Sequence, residues 1–190
     1  MLTTLPTWHS DPERFVNDLS TWFVCKGRSQ YDETVTELDH ALQSAALAAS
    51  ETGTDDEIVA ALLHDVGHLL MEESHNNFGP DLKHETVGAN WLDRFFPRTV
   101  TQPIRLHVLA KRYLCAINTE YWSTLSQASQ TSLNMQGGPM RFSEVSQFQK
   151  TLGYEAAVWL RQFDDEAKVK YLKVPPLAEY VGAIVQTLKV

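Results

Sequence analysis

Cysteine is scarce in this chain: only Cys25 and Cys115 occur in 190 residues. Two such distant cysteines make no disulfide framework, and a reducing cytoplasm is the expected compartment. No apolar run approaches the ~20 residues that span a bilayer, so no membrane partner is expected. The stretch Met1 to Pro6 has no basic region followed by an apolar one, and no signal peptide is expected. Positive charge is also short. Sixteen Lys and Arg face 24 Asp and Glu, a net charge of -8. That argues against nucleic acid as the main partner, because phosphate backbones demand a basic surface. It leaves room for a small anionic ligand, which a few local cations can hold. Internal repeats, low-complexity segments and convincing period-2 strands are absent.

What remains reads as helices. Hydrophobic residues at 43% and a length of 190 allow one domain with a sizeable core. Ser10, Pro12 and Glu13 predict a capped helix start, with Phe15, Leu19, Trp22 and Phe23 at helical spacing. A second helix is expected from about Thr34 to Ser50, with Gly53 just past its end. Thr54 to Glu57 forms a capping box for a third helix, which runs through His64 and Asp65. Residues 72–83 are expected to form a loop. A fourth helix is expected from His84 to Phe96 and a fifth after Pro103. The stretch from Thr119 to Met140 reads as a short helix followed by a Ser/Gln-rich loop. Further helices are expected at about Ser143–Leu152, Tyr154–Lys168 and Ala178–Leu188. The expected fold is all-α, a helical bundle with residues 1–190 in a single domain.

The pair His64-Asp65 interrupts the apolar stretch from Ala60 to Leu70. A buried, unpaired carboxylate beside an imidazole would cost several kcal/mol. A metal is the economical compensation, and the second carboxylate oxygen is free to bridge to a second metal. Other metal-type residues lie on faces that also carry core residues. His40 stands between Leu38 and Leu42, His84 opens the fourth helix, His107 lies beside Leu106, and Asp164 follows Phe163. The set is His40, His64, Asp65, His84, His107 and Asp164. Imidazole mixed with carboxylate suits iron, manganese or zinc. Six ligands, one able to bridge, suit two metals. Any one of these histidines alone is more simply a satisfied core histidine, so the set carries the signal. His9 and His75 lie in polar surroundings and are left out.

The order of these ligands resembles the HD-domain superfamily: an isolated His, a His-Asp pair, then a distant Asp. His40 precedes His64 by 24 residues, a typical separation there, and His84 with His107 extends the set to the two-metal branch. The metal-binding core spans about residues 31–168. His68, Lys111 and Arg161 lie at helical offsets from His64, His107 and Asp164, so each should project toward its ligand's side. As three potential cations they favour an anionic substrate, although Lys111 or Arg161 alone reads equally well as a surface charge. With the segment Leu125 to Ser129 and the run Arg105 to Leu114, the chain is similar to the mixed-valent diiron oxygenases of this superfamily. Those enzymes cleave 1-hydroxy-2-(amino or trimethylammonio)ethylphosphonates.

The resemblance implies two irons as Fe(II)/Fe(III), O2 as co-substrate, and C–P cleavage to phosphate and glycine or glycine betaine. It implies that Lys111, His68, Ser129 and Arg161 hold the phosphonate, with Asp65, His68 and Lys111 at the reacting centre. Glu33, seven residues before His40, matches an acid that receives the substrate's cationic nitrogen. The family has an iron-binding Tyr three residues before that acid. Here Tyr31 stands two before Glu33, and Asp32 is an additional acid beside it. Tyr31, Asp32 and Glu33 are therefore candidate substrate contacts. An HD-type metal-dependent phosphohydrolase is the alternative enzyme. A regulatory protein that binds a phosphorylated ligand without turnover is a third class, which the complete ligand set disfavours. A small phosphonate is the expected partner, and a monomer is compatible with the sequence.

Overall fold

The computed structural model describes residues 4–7, 11–29, 35–51, 53–73 and 83–189. Tyr31, Asp32 and Glu33 lie outside the described residues, as do Ser10 and Thr34. The described chain is helical and contains no strand. α1 (Pro12–Lys26) is capped by Asp11, whose Oδ1 accepts from the backbone N–H of Glu13 and Arg14. α2 (Glu37–Glu51) starts later than the apolar pattern suggests. Thr36 and Asp39 exchange bonds as a capping pair and set that start.

α3 (Asp55–Leu63) begins at the expected Thr54 cap. It does not run on through the His-Asp pair. His64 and Asp65 form a turn, and α4 (Val66–Glu73) starts after it. Consecutive residues on one continuous helix project about 100° apart. The turn instead lets both side chains enter one site. α4 also takes in Glu72 and Glu73, placed in a loop by their polarity.

α5 (His84–Leu92) stops short of Phe96, with turns at residues 93–95. α6 (Arg98–Ile117) starts before Pro103 rather than after it. A proline inside a helix removes one hydrogen bond. Val100 and Ile104, both fully buried, hold the turn around it. α7 (Tyr121–Thr124) and α8 (Gln127–Met135) replace most of the expected Ser/Gln-rich loop. Ser126 caps α8, and Leu133 buries against Leu125 and Cys115. Polar composition concealed this helix because only one side of it is covered. Gly137 and Gly138, both at positive φ, end it.

α9 (Phe142–Phe148) and α10 (Tyr154–Glu166) follow, then a 3₁₀ turn (Leu177–Tyr180) and α11 (Val181–Thr187). α10 packs along α6, and α2 along α3 and α10. The main core joins Phe15, Trp22, Leu62, Leu63, Phe95 and Leu160 from four parts of the chain. Each such large side chain contributes roughly 1.5–3 kcal/mol when fully buried. The α2, α3, α5, α6 and α10 packing brings the distant ligand candidates together. No described helix is long and apolar enough to cross a membrane.

Candidate metal centre

Asp65 stands between two groups of histidines. Its Oδ2 lies 3.3 Å from His64 Nε2 and 3.7 Å from His40 Nε2. Its Oδ1 lies 3.3 Å from His84 Nε2 and 3.6 Å from His107 Nε2. Asp164 Oδ1 joins the first group, 3.4 Å from His40 Nε2 and 4.0 Å from His64 Nε2. The two groups are thus His40, His64, Asp65 and Asp164, and Asp65, His84 and His107. All six residues are buried.

The protons show what these groups fit. His40 Nδ1 lies 2.8 Å from the Ala167 carbonyl, His64 Nδ1 2.8 Å from Ala61 O, and His107 Nδ1 2.7 Å from Ile104 O. A carbonyl only accepts, so each Nδ1 carries a proton and each ring turns its Nε2 into the site. His40 and His64 face each other there at 3.2 Å, and His84 and His107 at 3.1 Å. Two such nitrogens this close call for a proton or a metal ion at them. Asp65 Oδ1 is buried and makes no hydrogen bond among the described residues. Both observations fit metal bound at this cluster.

Electrostatics agree. Burial opposes ionisation of Asp65, but His64 and His84 beside it hold its pKa well below the ordinary range. Burial likewise opposes charge on Asp164, and Arg161 and Lys168 outweigh it. Burial pushes His64 down, and the Asp65 carboxylate reverses this, raising it to about 9. Two buried carboxylates call for positive charge at this point, which metal ions supply more fully than a proton.

Asp65, His84, His107 and Asp164 line one wall of a cavity of about 250 Å³. Lys111, Arg161, Lys168, His68, Ser129 and Ser132 line the rest, with Val108, Met135 and Gln136. Lys111 is 3% exposed and donates to Ser132 Oγ at 2.7 Å. Burial, then the charge of Arg161, lowers its pKa to about 8. Arg161 is also 3% exposed. Its Nη1 donates to Asp164 at 2.5 Å, and its other side pairs with Asp165, where Tyr121 also donates. Burial opposes this guanidinium, but Asp164 and Asp165 keep it charged. A larger groove of about 740 Å³ lies at the starts of α3, α6 and α10. It contains no histidine, so the chemistry belongs to the smaller cavity.

Comparison with known proteins agrees with this geometry. The HD domain family matches residues 38–132. A hydroxymethylphosphonate dioxygenase of Gimesia maris is 54% identical over 157 residues, 81% of this chain and 78% of its own. The [1-hydroxy-2-(trimethylamino)ethyl]phosphonate dioxygenase (glycine-betaine-forming) of Leisingera caerulea is 40% identical over 156 residues, 80% of each chain. The chain belongs to the HD-domain phosphonate dioxygenases. An uncharacterized protein of Acanthamoeba polyphaga mimivirus is also similar, 31% identical over 178 residues, 91% of this chain and 81% of its own.

As a member of this family, the chain places its sequence-derived residues as follows. All six ligand candidates converge. Lys111, Arg161, His68 and Ser129 reach the same cavity. His68 needs one correction. Burial, then the charge of His84, lowers its pKa to about 4, and its ring stacks on His84 at 4.0 Å. It is a neutral stacked ring near pH 7, not a third cation. Lys168 takes that place, 3.2 Å from Asp164 Oδ1 and lining the cavity. Its spacing of four from Asp164, just past the end of α10, was a readable signal. Ser132, one turn after Ser129, also lines the cavity.

Proposed function

We propose that this chain is an O2-dependent dioxygenase that uses two metals, read as iron, to break the C–P bond of a short 1-hydroxyphosphonate. One observation carries the reading: the two oxygens of Asp65 each face their own pair of histidine Nε2 atoms, at the wall of a cavity lined by cations. His40, His64, Asp65 and Asp164 would hold one metal, and Asp65, His84 and His107 the other. Bound there, a redox-active pair supplies the activation of O2 for attack on the substrate's C1–H bond.

The chain's own residues bind and orient. Lys111, Arg161 and Lys168 offset the phosphonate's charge, and Ser129 and the neutral His68 offer hydrogen bonds. Arg161 also fixes Asp164 by its Nη1 bond, tying the anion pocket to one ligand group. For hydroxymethylphosphonate the balance is one O2 consumed, with formate, phosphate and one proton formed. Both oxygens end in products, and C1 is oxidised.

Two substrates are consistent with this site. The similarity to the Gimesia enzyme favours hydroxymethylphosphonate. So does the lining, whose described carboxylates are Asp65 and Asp164, both engaged with the ligand set. The second reading is a 2-amino or 2-trimethylammonio hydroxyethylphosphonate. The Leisingera enzyme and the acids Asp32 and Glu33 favour it. The test is protein loaded with Fe(II) without oxygen and then given O2 with each phosphonate, recording iron per chain, O2 uptake and phosphate release. Stoichiometric O2 uptake and phosphate release with either substrate supports the reading. Phosphate release without O2 from a phosphate ester would instead establish the phosphohydrolase.

A further inference from the structure

Three residues after His40 on α2 lies Gln43, only 2% exposed. Its amide makes two hydrogen bonds to one residue. Nε2 donates to Val169 O at 2.9 Å, and Oε1 accepts from Val169 N–H at 2.9 Å. Two residues earlier in that segment, the Ala167 carbonyl accepts from His40 Nδ1. Ala167 closes α10, whose last turn carries Asp164. A carbonyl at a helix end has no intrahelical donor, so its direction depends on what holds the chain around it. Gln43 holds the peptide beyond it against α2.

We infer that Gln43 is a positioning residue for the His40 side of the metal centre. It acts through Val169 and the Ala167 carbonyl, which together fix the tautomer and rotation of His40 relative to Asp164. A primary amide suits the task. It offers one donor and one acceptor to a single backbone residue, and it adds no charge beside the buried Asp65 and Asp164. The inference rests on the two-metal reading, and it makes the two halves of the centre separable. His84 and His107 lie on other elements, α5 and α6.

The experiment compares full-length wild type with Gln43→Met, both loaded with Fe(II) under anaerobic conditions and challenged with graded chelator. Iron per chain and Mössbauer spectra are recorded, together with the thermal midpoint. Outer partners of metal-bound histidines typically change affinity 10–100-fold. Gln43 acts one bond further out, so Gln43→Met should release one iron at roughly tenfold lower chelator and retain the other. Its midpoint should move little, because Val169 is half-exposed. Release of both irons at the wild-type chelator concentration overturns the inference. So does simultaneous loss of both irons with a lowered midpoint. If Gln43→Met does not fold, Gln43→Glu keeps the size and the acceptor for Val169 N–H, and must show the same one-sided loss. A wild type that binds fewer than two metals overturns the two-metal reading instead.

Discussion

Gly67 lies directly against the backbone of His84. A Cβ at Gly67 would fall 2.0 Å from the His84 carbonyl oxygen. This close crossing of α4 and α5 sets the distance between the Asp65 turn and the His84 imidazole. It also explains why glycine follows Val66 in the middle of an apolar stretch.

Gly67→Ala should therefore push α5 outward and move His84 from Asp65. The opposing atoms are backbone and cannot turn aside, so the cost should reach or exceed about 3 kcal/mol, the upper part of the usual overpacking range. Chemical denaturation measures the cost, and metal analysis measures the site. Unchanged stability with two metals bound would show that the crossing relaxes freely.

Asp65→Ala should lose metal from both groups, because this carboxylate faces His64 with one oxygen and His84 with the other. His84→Ala should spare the group containing His40, His64 and Asp164. Iron per chain after anaerobic loading separates the two variants. Two irons retained in Asp65→Ala would end the bridging assignment.

Lys111 should control the pH dependence of substrate capture. It is charged below about 8 and loses its proton above that value, so kcat/KM should fall as pH rises through about 8. Its value lies below the ordinary 10.5, so the unfolded chain keeps the proton longer. This group's contribution to stability therefore rises with pH between those values. Lys111→Met should remove the inflection and weaken substrate binding by about 1.5–3 kcal/mol, or roughly ten- to a hundredfold, with metals retained. An inflection that survives in Lys111→Met would place its origin in another group.

Glu33→Gln bears on the substrate's second carbon. If the acid receives a cationic nitrogen, iron content should stay intact. Turnover of amino and trimethylammonio substrates should then fall well below that of hydroxymethylphosphonate. Steady-state kcat/KM on all three substrates decides it. Equal losses on all three would give Glu33 a role in the fold or the metals.

The chain's local chemistry was enough to show an all-helical protein, because apolar spacing and caps such as Thr54 act over a few residues. The candidate ligands were legible for a related reason. His40, His64, Asp65, His84, His107 and Asp164 are polar groups on faces otherwise given to the core, and that conflict is visible without coordinates. Tertiary structure decided the rest. The turn at His64-Asp65 arises where α4 crosses α5, at Gly67. The helical state of residues 127–135 depends on Leu133 finding Leu125 and Cys115. The neutrality of His68 and the joining of Lys168 to the cavity depend on burial and on neighbours far away in sequence. Periodicity reports which face of a helix is apolar. It carries no information about which other helix covers that face, and charge state and metal geometry are set by that covering.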